Sequence, residues 1–239
     1  KNCKIRLNLV LFFCILDFFS ELYCIEENNK NNNSKGINPM KKIMFNDRFG
    51  LTEKVLEGNK TQTRRIIPQS VIDKVAEFRV EYYNMTFDAL STKDSLYHYF
   101  FVEKNLGKLP YNVGEIVAVA QSYKEVFGEG CGKESEAGYN NKMFVKPELM
   151  PHQIRITKVR IERLQDISDE DVLKEGFYCS FDLEYGSEIA IDFFLDYQNG
   201  RISDSCPQTA YSKLIDSISS KGTWSSNPFV FVYDFELVK

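Results

Sequence analysis

The 239-residue sequence has little of what metal and disulfide sites are built from. It contains two histidines, His98 and His152, and its six cysteines form no C-x-x-C pair. These counts argue against a histidine-rich metal site, a zinc knuckle and a disulfide scaffold. The composition therefore points to no metal and no cofactor, and it favours reduced cysteines, as in a cytoplasmic protein.

The chain also lacks an excess of positive charge. Its 30 lysines and arginines face 34 acidic residues, which gives a formal net charge of -4. A protein of this charge does not coat nucleic acid by bulk attraction, so RNA binding would need a local basic patch. The apolar content of 43% is ample for a folded core.

Residues 1–39 differ in composition from the rest of the chain. The apolar run after Arg6 resembles a secretory signal, but Asp17 and Glu21 interrupt it and no small-residue cleavage site follows. The next stretch, "EENNKNNNSKG", is of low complexity and cannot form a packed core. We expect a non-native or disordered extension over 1–39, a single domain over 40–239 and no membrane span. A signal or anchor is the alternative.

From Met40 onward, the pattern predicts short strands with interspersed helices. A helix in "LTEKVLEG" ends at Gly58, and the strand "TQTRRII" follows it. Residues 69–110 lack sustained periodicity, which indicates an inserted segment with a short helix at 71–78. Because strands and helices do not alternate regularly, we predict an α+β fold around a small β-barrel with flanking helices.

The second half of the domain has clearer periodicity. A buried strand is predicted at 116–119, and in "HQIRITKVRIERL" a bulge near Thr157 would turn all four aliphatic side chains inward. The pair Ser168 and Asp171 predicts a capped helix that ends at Gly176, and "AYSKLIDSISSKG" predicts an amphipathic helix. The final stretch, "NPFVFVYDFELV", alternates and predicts a closing barrel strand.

A basic cluster follows the first predicted helix. Within "VLEGNKTQTRRIIP", Lys60, Arg64 and Arg65 are interleaved with Thr61 and Thr63. Such a cluster is consistent with a solvated strand edge, with a grip for a phosphate backbone, or with part of an active site. Composition alone leaves these three interpretations open.

The cluster resembles the G-x-K-x-x-x-x-R signature of the ASCH family, with Gly58, Lys60 and Arg65 at its fixed positions. The later parts also come in a similar order: a G-[DE]-x-[VL] strand entry at 114–117, a basic strand, a capped helix and a terminal aromatic strand. The resemblance covers most of the domain except 69–110, and long phage and gut-bacterial ASCH proteins are the closer overall match. It implies a PUA-like β-barrel associated with RNA and modified nucleosides.

Within that family, "GNKTQTRR" is similar to the G-x-K-T-x-T-x-R string of bacterial N4-acetylcytidine amidohydrolases. These enzymes remove an acetyl group from the exocyclic amine of cytidine. The resemblance implies three catalytic side chains: Lys60, Thr63 and Glu175. The other motif positions would contact the nucleotide: Gly58, Thr61, Arg64 and Arg65. Arg64 departs from the pattern, which has an apolar residue at this position.

Three functions are therefore expected, in this order. The first is the binding of a nucleic acid, a nucleotide or a modified nucleoside, and the second is amidohydrolysis. The third is a non-catalytic protein-interaction domain, which would be favoured if residues 69–110 cap the basic cluster.

The hydrolytic function places demands on the basic cluster. A threonine hydroxyl needs a neighbouring base, and Lys60 can be that base only if burial or a nearby cation lowers its pKa. Because side chains alternate along a strand, Lys60 meets Thr63 only if the chain turns at 60–62.

Some of these residues also have simpler interpretations. Glu175 ends a helix, where the macrodipole disfavours a carboxylate, so it is either a surface charge or placed for a purpose. Trp224 and Tyr123 could stack on a base, although such aromatic residues more often pack in a core.

Overall fold

The computed structural model describes residues 39–83, 91–102, 107–183, 189–198 and 200–238. From Met40 onward, these residues belong to a compact unit that spans Met40–Lys239. Residues 1–38, for which an N-terminal extension is predicted, lie outside the described part of the chain. Residues 84–90 and 103–106, which belong to the predicted inserted segment, also lie outside it.

The described residues combine strands and helices, which confirms the α+β class. The eight strands are β1 (Lys41–Ile43), β2 (Gln62–Ile66), β3 (Ile116–Val119), β4 (Gln153–Arg163), β5 (Tyr178–Leu183), β6 (Ile189–Tyr197), β7 (Gly200–Asp204) and β8 (Phe229–Val238). The α-helices are α1 (Leu51–Leu56), α2 (Gln69–Tyr83), α3 (Thr92–Tyr97), α4 (Tyr123–Phe127), α5 (Asp169–Lys174), α6 (Pro207–Ile218) and α7 (Thr223–Ser226). A π-helical turn at His98–Val102 and 3₁₀ turns at Asp47–Phe49, Lys142–Phe144, Pro147–Leu149 and Leu164–Asp166 complete the set.

Five strands form the main sheet in the order β1-β3-β4-β8-β2. β1 runs parallel to β3, and the other neighbours are antiparallel. Within the described residues, β1 and β2 are the two edges and do not pair with each other, so the sheet does not close. The small β-barrel therefore stays a prediction.

The bulge predicted in β4 is confirmed. Pairing of β4 with β8 shifts its register between Ile156 and Lys158. The extra residue keeps the aliphatic side chains before and after it in the core, whereas strict alternation would turn two of them outward. All four are buried: Ile154, Ile156, Val159 and Ile161.

β3 and β8 form where the sequence predicts them, with different burial. In β3, Val117, Ala118 and Val119 are fully buried, whereas Ile116, the first residue of the strand, is 38% exposed. In β8, which pairs with both β4 and β2, Val230 and Val232 are buried as well as the aromatic residues opposite them. Burial on both faces is typical of a strand inside a covered sheet.

The described part of 69–110 contributes to the core. The helix predicted at 71–78 is present within α2, which extends further at both ends. Val75 and Leu96 are buried in the main core, and the Phe100 ring lies 4.9 Å from the Phe231 ring. The apolar residues of this segment therefore pack against the sheet despite their weak periodicity.

A second sheet was not predicted from the sequence. β5, β6 and β7 form a three-stranded antiparallel sheet. In β6, the stretch "DFFLDY" sets two phenylalanines side by side and so breaks the two-residue period that marks a half-buried strand.

The amphipathic helix predicted in "AYSKLIDSISSKG" is confirmed as α6, which follows the second sheet in the chain. Tyr211 and Leu214 are buried, and Ile215 and Ile218 are partly buried against the same core. None of the helices in the described ranges is long and apolar enough to cross a membrane.

Candidate functional site

Lys60 enters the interior from a tight turn between α1 and β2. Gly58 has a φ of 78° there, a conformation that a side chain would strain. The Lys60 N–H donates to the Lys54 carbonyl and the Thr61 N–H donates to the Lys174 carbonyl, each at 2.9 Å. These bonds hold the segment between the ends of two helices and leave Lys60 only 2% exposed.

Lys60 forms a buried ion pair with Glu175. Its ammonium donates to the Glu175 carboxylate and, at 2.9 Å, to the Glu175 main-chain carbonyl. Glu175 is the C-cap of α5, where the negative end of the helix dipole favours a cation. Gly176, with a φ of 102°, then turns the chain away. Glu175 is 3% exposed, so the surface-charge interpretation is wrong and the residue serves the pair with Lys60.

Arg64 contacts the other oxygen of the Glu175 carboxylate. Its Nη1 donates to Glu175 Oε1 at 3.1 Å and to Gln62 Oε1 at 2.6 Å. Its Nη2 donates to Asp171 Oδ2 at 2.8 Å. The Tyr211 hydroxyl also donates to Glu175 Oε1, at 3.3 Å. The carboxylate therefore accepts from two buried cations and one buried phenol.

Sequence reasoning missed Asp171 as a member of this network. Its N–H donates to the Ser168 hydroxyl at 3.2 Å, as the predicted helix cap requires. Its carboxylate, however, accepts from Arg64 at 2.8 Å and from Arg160 at 2.5 Å. Spacing was the available signal: residues 171 and 175 are one helical turn apart, so Asp171 and Glu175 share one face of the helix end.

A cavity of about 250 Å³ lies beside this network. One wall is apolar and comes largely from α6. The charged residues form another wall, and the segment that follows β1 adds a third. The lining residues are Met44, Phe45, Asn46, Leu51, Lys60, Thr63, Arg64, Arg65, Glu175, Tyr211, Leu214, Ile215 and Ile218.

The cavity brings together most of the site residues predicted from the sequence. Lys60, Thr63, Arg64, Arg65 and Glu175 all line it. Two residues, Gly58 and Thr61, do not. Gly58 terminates α1, and Thr61 connects two elements through its main chain by donating to Lys174 and accepting from Phe235. Their roles as nucleotide contacts stay predictions.

Arg65 differs from the other cations of the cavity in its partners. Its Nη2 donates to the Met44 carbonyl at 2.5 Å, and its guanidinium carbon lies 5.7 Å from the centre of the Phe45 ring. Its Nε is buried without a hydrogen-bond partner among the described residues, which also place no carboxylate within ion-pair distance of it. The charge of Arg65 is therefore available to a ligand.

Lys142 holds the wall that follows β1. Its buried ammonium donates to the Phe45 carbonyl and to the Asp47 carboxylate, both at 2.6 Å. It also donates to the Thr52 hydroxyl at 3.2 Å. This anchor fixes the backbone beside Arg65 and keeps the Phe45 ring at the cavity.

Burial is the largest influence on the Lys60 ammonium, and it lowers the Lys60 pKa from its ordinary value of 10.5. Glu175 raises this pKa, while the positive charges of Arg65 and Arg64 lower it, and the net direction is downward. Burial also raises the pKa of the Tyr211 hydroxyl, and the Glu175 charge adds to that effect. Lys60 is thus closer to its neutral, basic form than an exposed lysine, and Tyr211 remains a hydrogen-bond donor.

Lys60 and Thr63 line the same cavity without a hydrogen bond between them. Thr63 is 5% exposed, and its hydroxyl makes no hydrogen bond to any residue that the structure describes. The cavity therefore contains a lysine with a lowered pKa and a threonine hydroxyl that is free to hydrogen-bond to a ligand. A bound ligand or water would have to bridge these two groups. Within the same described ranges, no group of three or more His, Cys, Asp or Glu side chains could hold a metal ion.

The remaining aromatic candidates, Tyr123 and Trp224, do not line the cavity. Tyr123 belongs to a second apolar cluster with Val145 and Met150. The Trp224 ring lies 6.2 Å from the Tyr211 ring and does not line the cavity. The described residues of 69–110 do not line it either, so the condition that would favour a protein-interaction domain is not met there.

Comparisons of the chain with protein-family models, with curated proteins and with solved structures find no match. The ASCH resemblance therefore rests on the G-x-K-x-x-x-x-R string and on the order of the elements around it.

Proposed function

We propose that the cavity binds a single nucleobase as part of a nucleoside or nucleotide, and that the chain is a PUA-like ASCH domain. The observation that carries this proposal is the pairing of an apolar wall with a charged wall in one small cavity. Leu214, Ile215 and Ile218 offer a surface for the flat face of a base, while Lys60 and Arg65 offer donors for its polar edge.

The size of the cavity supports a nucleoside over a length of RNA. Its volume, about 250 Å³, lies below the roughly 300–1,000 Å³ of clefts that take drug-sized ligands. The net charge of -4 gives no general attraction for a polyanion. RNA would therefore bind through one nucleotide placed in the cavity. The cysteine pattern adds the proposal of a cytoplasmic location.

Isothermal titration calorimetry with cytidine, N4-acetylcytidine, cytidine 5′-monophosphate and a short single-stranded RNA tests this proposal. We expect one nucleoside to bind per chain, with only a modest gain in affinity when the ligand is extended to the RNA. Binding of the RNA without binding of any nucleoside would contradict a single-base site and would favour an open groove.

A second candidate function is hydrolysis of an N4-acylated cytidine. Two observations favour it: the pKa of the buried Lys60 is lowered, and the Thr63 hydroxyl lies in the same cavity. Buried groups with shifted pKa values cluster at catalytic sites, although ion-pair networks also produce them.

The steps of this hydrolysis follow from the chemistry of the two side chains. Lys60 first releases its proton to solvent. Its neutral amine then accepts the Thr63 hydroxyl proton while the threonine oxygen attacks the acyl carbon, and Arg65 donates to the oxyanion. The C–N bond breaks, Lys60 protonates the leaving amine, and the acyl group remains on Thr63 as an ester. Water, deprotonated by Lys60, then attacks the ester carbon and the C–O bond to Thr63 breaks. The threonine oxygen takes the proton back from Lys60, and the acyl group leaves as a carboxylic acid, which ionises in solvent.

A further inference from the structure

We propose that Arg64, clamped by Asp171, is a positioning residue that occupies one oxygen of Glu175 and leaves the cavity with a donor-rich wall. The ligand would then be recognised through acceptor atoms, such as carbonyl or ring-nitrogen lone pairs. The ligand class rests on the proposed nucleoside function, whereas the role of Arg64 does not.

The clamp on Arg64 is built from three elements. Gln62 Oε1 on β2 accepts from Nη1 at 2.6 Å, and Asp171 Oδ2 on α5 accepts from Nη2 at 2.8 Å. Glu162 on β4 accepts from Nη2 at 3.4 Å. The Arg64 side chain is 1% exposed, so its planar fork has one orientation available.

Asp171 is itself fixed from outside the cavity. Arg160 donates to the same Oδ2 at 2.5 Å, and Gln62 Nε2 donates to Oδ1 at 3.0 Å. Arg160 in turn pairs with Asp234 at 2.8 Å. Arg64 is thus held by a carboxylate that has its own supports, and the clamp does not depend on Glu175.

The consequence appears at the Glu175 carboxylate. Lys60 occupies Oε2, while Arg64 and Tyr211 occupy Oε1. An ionised carboxylate has about four acceptor sites, so three bound donors leave little capacity for a ligand. Among the other polar side chains that line the cavity, the cations Lys60 and Arg65 donate, while Thr63 and Asn46 can donate or accept. Donors therefore outnumber acceptors, so an acyl carbonyl or a pyrimidine O2 would find more partners here than an exocyclic amine would.

Arg64 stands where the ASCH string has an apolar residue. An apolar side chain there could not donate a hydrogen bond to Glu175, and Oε1 would keep only the Tyr211 hydroxyl. The clamp is therefore a property of this chain, and it would alter which ligands the cavity accepts.

The role of Arg64 is tested on the ligand-free protein by NMR titration of the Lys60 Nζ resonance, assigned with Lys60→Arg. Arg64→Met should move the Lys60 titration to higher pH, because a nearby cation is lost and Glu175 is free to turn toward Lys60. Arg64→Lys keeps the charge but cannot fork between Asp171 and Glu175, so we expect the same direction of change. Arg155→Lys, which alters an exposed arginine paired with Glu236 outside this network, is the matched control and should leave the Lys60 titration unchanged.

Asp171→Asn gives an independent reading if the Arg64 variants do not fold. Loss of a negative charge alone would move the Lys60 titration to lower pH, whereas release of Arg64 from Glu175 would move it to higher pH. A Lys60 titration that is unchanged in Arg64→Lys, or that falls in Asp171→Asn, would overturn the positioning role.

The ligand class is tested with cytidine and with pyrimidin-2-one riboside, which differs from cytidine by lacking the exocyclic amine. Wild-type protein should bind the analogue at least as tightly as cytidine. Arg64→Met, which frees Glu175 Oε1, should shift the preference toward cytidine by about tenfold, the effect of one hydrogen bond to a charged group. Tighter binding of cytidine by the wild type would overturn the donor-rich wall. If neither compound binds, the nucleoside function and the ligand class both fail, while the Lys60 titration still decides the role of Arg64.

Discussion

Lys60 and Glu175 are 115 positions apart in the sequence and form an ion pair in which both side chains are almost fully buried. Their side chains are 2% and 4% exposed. An ion pair at this depth is costly to desolvate, and it is strongly destabilising to break because one charge then remains without its partner.

Loss of either partner should therefore lower the free energy of unfolding. We expect Glu175→Gln to cost about 3 kcal/mol, because it leaves the buried Lys60 without a carboxylate. Lys60→Met should cost less, since Glu175 keeps Arg64 as a partner, and the double variant should be more stable than Glu175→Gln. Urea unfolding of the four proteins measures the coupling. Arg155→Ala is the control, since it removes an exposed pair with Glu236 and should cost less than about 1 kcal/mol. Single variants as stable as that control would show that the pair is not formed in solution.

Gly176 and Gly58 should respond differently to alanine. Both have a positive φ, of 102° and 78°, so each substitution strains the backbone by about 1–2 kcal/mol. A Cβ at Gly176 would also lie 3.1 Å from Lys54 Cδ and 3.5 Å from Lys60 Cβ, whereas one at Gly58 meets nothing within 4 Å. We expect Gly176→Ala to be the less stable protein in thermal unfolding and to weaken nucleoside binding more than Gly58→Ala does. Equal nucleoside affinities would contradict the close packing around Lys60.

Arg65→Ala should weaken the binding of cytidine 5′-monophosphate and short RNA, and it should flatten the salt dependence of that binding. Arg65 is the cavity cation with no carboxylate partner among the described residues, so its charge can meet a phosphate. The slope of log K against log salt concentration should fall in magnitude by about one, the effect of losing one phosphate contact. Arg155→Ala again serves as the control. An unchanged salt dependence would show that Arg65 does not contact a phosphate and serves only the hydrogen bond to the Met44 carbonyl.

Much of the fold could be predicted because its signals are local. The bulge after Ile156, the helix that ends at Gly176 and the amphipathic α6 each depend on a few neighbouring residues. The second sheet was missed because the two-residue period is broken in β6. The closure of a barrel is not a local property, since it depends on how far β1 and β2 approach each other.

The candidate site was predicted in part for the same reason. Lys60, Thr63 and Arg65 were found because they belong to one short string. Glu175 was placed by the resemblance, and only the tertiary structure shows that it is buried. Asp171 was missed because helix capping already explained why an aspartate follows Ser168. Its ion pair with Arg64 depends on a strand that is distant in the sequence.

The hydrolytic candidate predicts which variants are inactive. If Thr63 is the nucleophile and Lys60 its base, Thr63→Ala and Lys60→Ala should each abolish hydrolysis of N4-acetylcytidine. Because the two act as a unit, the double variant should be scarcely worse than either. Chromatographic detection of released cytidine measures the rate. Thr61→Ala is the matched control, since Thr61 lies outside the cavity lining and should retain activity. Hydrolysis that survives Thr63→Ala would remove the threonine from the mechanism.

The same candidate predicts the direction of the pH dependence. A base must be neutral, and the Lys60 pKa lies below its ordinary value of 10.5. The rate should therefore rise as Lys60 loses its proton, with a midpoint below 10.5. Glu175→Gln removes the charge that raises the Lys60 pKa, so the midpoint should move to still lower pH. A midpoint that moves upward in Glu175→Gln would contradict this assignment.

Filling the cavity beside α6 with a bulky side chain shows whether a nucleobase binds there. Calorimetric titration of N4-acetylcytidine into Ile215→Trp should show loss of binding, because Ile215 lines the cavity and the indole would occupy the space of the base. Ser217→Trp places the same ring on the exposed face of the same helix and should bind as the wild type does. Undiminished binding by Ile215→Trp, with its fold intact, would contradict the site.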